Sequence, residues 1–156
     1  WKFEDDLILI CNASNTEKIK KHLLQNSIKY DDLTNETDLI AVQGKTAINI
    51  LKDMMDIPNI FSTDKNKKYT YARTGYTGED GLEVMLDQKD TLDFVQQLES
   101  NGVKPCGLGS RDTLRLEASL PLYGFELTDD ISPVEAGLKW TLTNTSKTGK
   151  LPRILS

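Results

Sequence analysis

Tyr69-Thr70-Tyr71-Ala72-Arg73-Thr74-Gly75-Tyr76-Thr77-Gly78-Glu79-Asp80-Gly81-Leu82-Glu83-Val84-Met85-Leu86 reads as two strands joined by a glycine-punctuated turn. Tyr69, Tyr71 and Arg73 alternate with Thr70, Ala72 and Thr74, which is strand periodicity. Gly75, Gly78 and Gly81 recur at equal spacing, and Leu82 to Leu86 returns as a strand. In that return Leu82, Val84 and Leu86 share one face, and Glu83 points to the other. Such a hairpin makes neighbouring strands antiparallel. With the elements around it the order is strand, helix, strand, helix, hairpin, helix, which lacks parallel-sheet regularity and favours an α+β fold, a mixed or antiparallel sheet with packed helices, over an α/β one.

Upstream, Leu7-Ile8-Leu9-Ile10-Cys11 is a short apolar run that predicts a buried strand ending at Asn12. Ser14 with Glu17 forms a capping box, opening a helix over Thr16 to Gln25 with Ile19, Leu23 and Leu24 inward. Leu39-Ile40-Ala41-Val42 predicts a second buried strand. Gln43-Gly44 turns it into a helix from Thr46 to Met55, carrying Ile48, Leu51 and Met55 on one side and stopped by Pro58. The polar tract Ser62 to Lys68 reads as an exposed loop.

Downstream, Asp87 or Gln88 begins a helix that sends Leu92, Val95 and Leu98 toward a core, and Asn101-Gly102 ends it in a left-handed cap. A further block packs many turn formers, caps and charges together: Gly107-Leu108-Gly109-Ser110-Arg111-Asp112-Thr113-Leu114-Arg115-Leu116-Glu117-Ala118. Ser110 reads as the N-cap of a short helix, with Leu114 and Ala118 on one face and Arg111 and Arg115 on another. Pro121 and Gly124 break it. Ser132-Pro133-Val134-Glu135 opens a second short helix with a capping box and a first-turn proline, and Trp140 follows just after it.

Composition narrows the function classes. The formal net charge of −5 argues against nucleic-acid and anionic-membrane partners, which select a basic face. No apolar run reaches the length of a bilayer span. Cys11 and Cys106 are far apart and lack partners at metal-ligand spacing, so free thiols are expected. His22 is the only histidine and lies among lysines. Neither a zinc site nor a Ser-His-Asp triad is expected. The glycine spacing of residues 75–81 is not that of a P-loop, and Gly107-x-Gly109 lacks the third glycine of a dinucleotide fingerprint.

Three side chains are each open to two readings. Glu83 is either the solvent-facing residue of an amphipathic strand or a carboxylate that accepts two parallel N–H bonds from an amidine-like ring edge. Arg111 is either a surface cation or a guanidinium gripping a carbonyl, a carboxylate or a heterocycle edge. Trp140 is either core or a stacking surface for a flat ring.

Taken together the chain resembles the glycine cleavage T-protein (aminomethyltransferase) family. The resemblance rests on Asn12-Ala13-Ser14-Asn15, Val42-Gln43-Gly44, the run Ala72 to Glu83, and the long block from Lys104 through Thr141. It implies a multidomain folate-binding fold, with residues 1–142 as its central part, 143–156 as a divergent tail, and an N-terminal segment and C-terminal barrel lying outside this chain. It implies transfer of the aminomethyl group from the lipoyl arm of the H-protein to tetrahydrofolate, with ammonia released and 5,10-methylenetetrahydrofolate formed. Tetrahydrofolate is then a substrate, no metal is needed, and lipoylated H-protein is the partner. The location implied is cytoplasmic in a bacterium and the mitochondrial matrix in a eukaryote.

By the same resemblance Glu83 holds the pterin edge with Arg111 beside the folate, Tyr76 and Trp140 wall the pocket, and Asn12 lies close by. The catalytic aspartate is expected upstream. Asp5-Asp6-Leu7-Ile8 looks like its segment but lies too near Asn12, so this piece alone is expected to be inactive. Lys45 stands where the family commonly has proline. Two other readings share the cradle: a non-enzymatic folate-binding relative of the iron–sulfur assembly type, and a T-like module of a sarcosine- or dimethylglycine-oxidising flavoenzyme.

Overall fold

The computed structural model describes residues 1–142, which fall into two compact units, residues 1–118 and the segment from Ser119 on. The tail expected over residues 143–156 lies outside the described residues. In the first unit, β1 (Thr37–Gln43), β2 (Thr63–Lys65), β3 (Thr70–Ala72) and β4 (Gly81–Asp87) form an antiparallel sheet in the order β1-β4-β3-β2. With α1 (Thr16–Gln25), α2 (Ala47–Leu51), α3 (Gln88–Ser100) and α4 (Leu108–Glu117) this is an α+β architecture.

Cross-strand register divides the sheet into two unlike faces. Ile40 and Tyr71 flank Val84, and Val42 faces Leu82, so one face is a continuous apolar layer. Helices α2 and α3 pack on it with Ala47, Leu51, Phe94 and Leu98. Tyr71, Phe94, Leu51, Leu82 and Val84 are the largest fully buried side chains. Each stabilises the fold by about 1.5–3 kcal/mol through lost apolar exposure. The opposite face carries Ala41, Glu83 and Ala72 in one row and Leu39, Met85 and Thr70 in the next. On that side Leu39 and Ala41 remain exposed, whereas Ala72 is fully buried.

The C-terminus of α3 sets where the chain goes next. Gly102 takes φ +84, the Val103 N–H reaches the Leu98 carbonyl at 3.0 Å and the Gly102 N–H reaches that of Glu99 at 2.9 Å. This is the expected left-handed cap in its two-bond form, with Val103 folded back against the core.

Several local expectations are corrected. Residues 7–11 form no strand: beyond a single Lys2–Leu7 bridge they find no ladder, and Leu7, Leu9 and Ile10 stay exposed. Hydrophobicity alone cannot bury a strand without a partner edge. The Ser14–Glu17 box does not cap α1, because Asn12 takes the role one turn earlier, its side chain accepting from the Ser14 N–H at 3.0 Å. Helix α2 ends at Leu51 rather than Met55, although Leu51 and Met55 are both buried. The polar tract 62–68 contains β2, an edge strand whose polar residues keep its free side soluble. In α3 Phe94, not Leu92, enters the core, and Leu92 is 66 % exposed. Helix α4 starts at Leu108 with Gly107 as N-cap, not at Ser110. It separates the two arginines: Arg115 is buried with its Nε donating to Asp112 at 2.8 Å, while Arg111 is exposed.

In the second unit the Ser132–Glu135 box forms as expected. The Ser132 N–H donates to Glu135 Oε2 at 2.9 Å, and the Glu135 N–H donates to Ser132 Oγ at 3.3 Å. The Ser132 hydroxyl also donates to Glu135 Oε2, at 2.6 Å, and this bond first, with that of the Ser132 N–H, holds the Glu135 carboxyl below the usual range. Only one turn follows instead of a helix, because Gly137 at φ +74 lets the Leu138 N–H close on the Pro133 carbonyl at 2.7 Å. Trp140 then lies in a 3-10 turn over Lys139–Thr141.

Candidate functional site

The sheet face away from the core presents the Glu83 carboxylate, and its lateral neighbours are small. Glu83, at the middle of β4, is flanked by Ala41 on β1 and Ala72 on β3. Directly opposed residues in a sheet stand about 5 Å apart, so a methyl group on each side leaves the carboxylate laterally uncrowded. Thr74, two residues beyond Ala72 and on the same face by alternation, donates its hydroxyl to Glu83 Oε2 at 2.6 Å. That is the short distance of an O–H bonded to a charged acceptor.

The glycine turn between β3 and β4 is fastened at its base. Gln43, the last residue of β1, donates from Nε2 to the Thr74 carbonyl at 3.0 Å and to the Leu82 carbonyl at 3.1 Å. Its Oε1 is buried against Gly75 without a hydrogen-bond partner. Any Cβ on Gly75 would fall on that oxygen, and any Cβ on Gly81 would fall on the Val42 carbonyl. These two glycines therefore serve close approach. Of the three in the turn, only Gly78 has the positive φ expected of a hairpin glycine.

A bidentate ion pair closes the same turn. Arg73 Nε meets Asp80 Oδ1 at 3.0 Å and Nη2 meets Oδ2 at 2.6 Å, while Nη1 donates to the Pro58 carbonyl at 3.2 Å. Hydrogen bonding to the Arg73 guanidinium is the main cause that lowers the Asp80 carboxyl from its usual range. A depressed carboxyl contributes stability that is present above the ordinary aspartate range and lost as pH falls through the lowered folded value. Carbon-13 titration is thus expected to give Asp80 a midpoint below that of a free aspartate, about 3.9, with Arg73→Gln restoring it. An unshifted midpoint in the parent protein would contradict the clasp.

Tyr76 follows Thr74 in the turn, and Arg111, in the first turn of α4, lies over its ring with Cζ 4.8 Å from the centroid. This is cation–π range, and the stacked pair offers a flat, polar-edged surface. An open hollow of about 500 Å³ lined by Trp1, Phe61 and Thr74 also borders the threonine that holds Glu83.

Of the residues singled out from the sequence, the first unit joins Tyr76 to Arg111 directly, and the turn joins Tyr76 to Glu83 through Thr74. Asn12 is engaged at the start of its own 3-10 turn. Trp140 belongs to the second unit and is 80 % exposed. Asp6, in the tempting aspartate segment, stands 3.6 Å from the Lys65 ammonium. Sequence reading passed over Thr74 and Gln43. Thr74 could have been found from the strand alternation that puts it on the Glu83 face; Gln43 carries no local signal. Among the described residues, no group of three or more His, Cys, Asp or Glu is placed to hold a metal ion, and no helix is long and apolar enough to cross a membrane.

The chain is similar to several known aminomethyltransferases. An aminomethyltransferase of Synechocystis sp. is 42 % identical over 155 residues, covering 92 % of this chain and 42 % of the relative. That of Geobacillus thermodenitrificans is 41 % identical, covering 97 % of this chain and 45 % of the relative. The crystal structure of glycine cleavage system aminomethyltransferase T from Bartonella henselae superposes with a TM-score of 0.76 at 29 % identity, over 88 % of this chain and 40 % of that one. The chain thus spans about two-fifths of the length of these relatives. The model of the GCVT N-terminal domain matches residues 1–146, and the chain belongs to that family.

Proposed function

We propose that this chain is the folate-binding part of an aminomethyltransferase. The reaction is transfer of an aminomethyl group from the lipoyl arm of H-protein to tetrahydrofolate, releasing ammonia and giving 5,10-methylenetetrahydrofolate. The observation that carries the reading is the Glu83 carboxylate, set between two alanines and oriented by Thr74. A carboxylate accepts two parallel N–H bonds, which matches the amino-pyrimidinone edge of a reduced pterin. The Arg111–Tyr76 stack supplies a cation and a ring face. On this reading Trp140 is a stacking surface for the flat ring and Asn12 is a further folate-binding residue. No metal takes part, and the reacting aspartate comes from residues outside this chain, so the 156 residues alone bind without turning over. The reaction runs in the cytoplasm of a bacterium or the matrix of a mitochondrion.

The test is an assay of the intact gene product with tetrahydrofolate and aminomethyl-loaded H-protein. Ammonia release that requires both is the expected result. Folate binding without any transfer would favour a non-enzymatic folate-binding relative instead. Within the same assay, Arg111→Lys should raise the tetrahydrofolate KM roughly tenfold, because an ammonium reproduces neither the planar fork nor the stack. An unchanged KM would make Arg111 a surface arginine.

A further inference from the structure

We infer that Thr74 is a positioning residue for the Glu83 carboxylate, and that Gln43 locks Thr74 in place. The inference rests on the folate reading of Glu83 and adds to it the residues that aim the acceptor. Two independent sets of bonds meet at Thr74. Its hydroxyl donates to Glu83 Oε2 at 2.6 Å, and its carbonyl accepts from Gln43 Nε2 at 3.0 Å. The same amide nitrogen also holds the carbonyl of Leu82, the residue before Glu83, at 3.1 Å. One side chain on β1 therefore fixes the backbone at both ends of the glycine turn.

The physical consequence is preorganisation. A free glutamate samples many rotamers, and pinning it on binding costs conformational entropy. Thr74 restricts it beforehand, and Thr74 is itself stiff because a β-branched side chain has few χ1 states. The bond engages Oε2 and leaves Oε1 outside it, so an incoming N–H donor meets a carboxylate already turned to a fixed direction. The arrangement explains why Gly75 lacks a side chain: a Cβ there would displace the Gln43 amide and with it both bonds. It also accounts for the orphaned Gln43 Oε1, which is buried against Gly75 because Nε2 must face the two carbonyls.

A double-mutant cycle read by calorimetric titration with tetrahydrofolate on the intact gene product tests this. Thr74→Val keeps the shape and removes the hydroxyl; it should weaken binding roughly tenfold, the loss expected for one charge-assisted hydrogen bond. Thr74→Ser should stay within about twofold of the parent, since it restores the donor. In a Glu83→Ala background Thr74→Val should change nothing further, because it acts only through that carboxylate. Gln43→Met should weaken binding in the same direction and also lose its effect in the Glu83→Ala background. If Thr74→Val does not fold, Thr74→Ala takes its place in the cycle. Additive losses from Thr74→Val and Glu83→Ala, or full affinity in Thr74→Val, would overturn the positioning role while leaving Glu83 as the acceptor. Full affinity in Glu83→Ala alone would overturn the folate reading itself.

Discussion

Phe94→Ala should cost about 3–5 kcal/mol of folding free energy, the largest effect of any single truncation here. The ring is fully buried and stands 5.0 Å from the Tyr69 ring in a tilted contact. It shares its cluster with Leu51 of α2 and with Leu82 and Val84 of β4. Strand residues cannot collapse into the vacated space, because their backbones are held on both sides by the β1 and β3 ladders. The cavity therefore stays, and its cost adds to the lost burial. Leu92→Ala on the same helix should cost less than about 1 kcal/mol, because its side chain is largely in water already. Urea unfolding followed by circular dichroism checks both. A Phe94→Ala loss no larger than that of Leu92→Ala would contradict the helix phase.

The second large effect is on ligand rather than fold. Glu83→Ala should weaken tetrahydrofolate binding by about 1.5–3 kcal/mol, or roughly 10- to 150-fold. The loss arises because ring N–H groups desolvated on the sheet face would find a methyl group where they need an acceptor. Folding should barely change: Glu83 lies on the face away from the core and, among the described residues, gives up the Thr74 bond. Glu83→Gln should lose much of the affinity too, since its NH2 group opposes a ring N–H while its size is kept. Titration calorimetry beside a thermal melt separates the two quantities. Equal affinity with an unchanged melt would remove Glu83 from the site.

What the residues disclosed and what they hid follow from the range of the forces involved. The alternation of Tyr71 to Leu86 is local, so the hairpin, its apolar face and the outward Glu83 could be read directly. Helix α1 was found at Thr16–Gln25, and Gly102 marked the end of α3. Pairing is not local. Nothing in Leu39 to Val42 says that this strand lies beside β4, with Ala41 against Glu83. Residues 7–11 carry the apolar run of a buried strand and form none, whereas polar Thr63-Asp64-Lys65 became an edge strand, because a neighbouring edge decides pairing and local hydrophobicity does not. The candidate site divides the same way. Glu83 and Arg111 stood out as charged residues at turns and in an apolar strand, while Thr74 and Gln43 act across strands and show their part only in three dimensions.

The most direct measurement is a crystal structure of the intact gene product with tetrahydrofolate bound. The expected result is a pterin edge donating to the Glu83 carboxylate at about 2.8 Å, with Arg111 and Tyr76 beside the ligand and the Thr74 bond retained. A ligand bound elsewhere, with Glu83 facing only Thr74 and solvent, would contradict it.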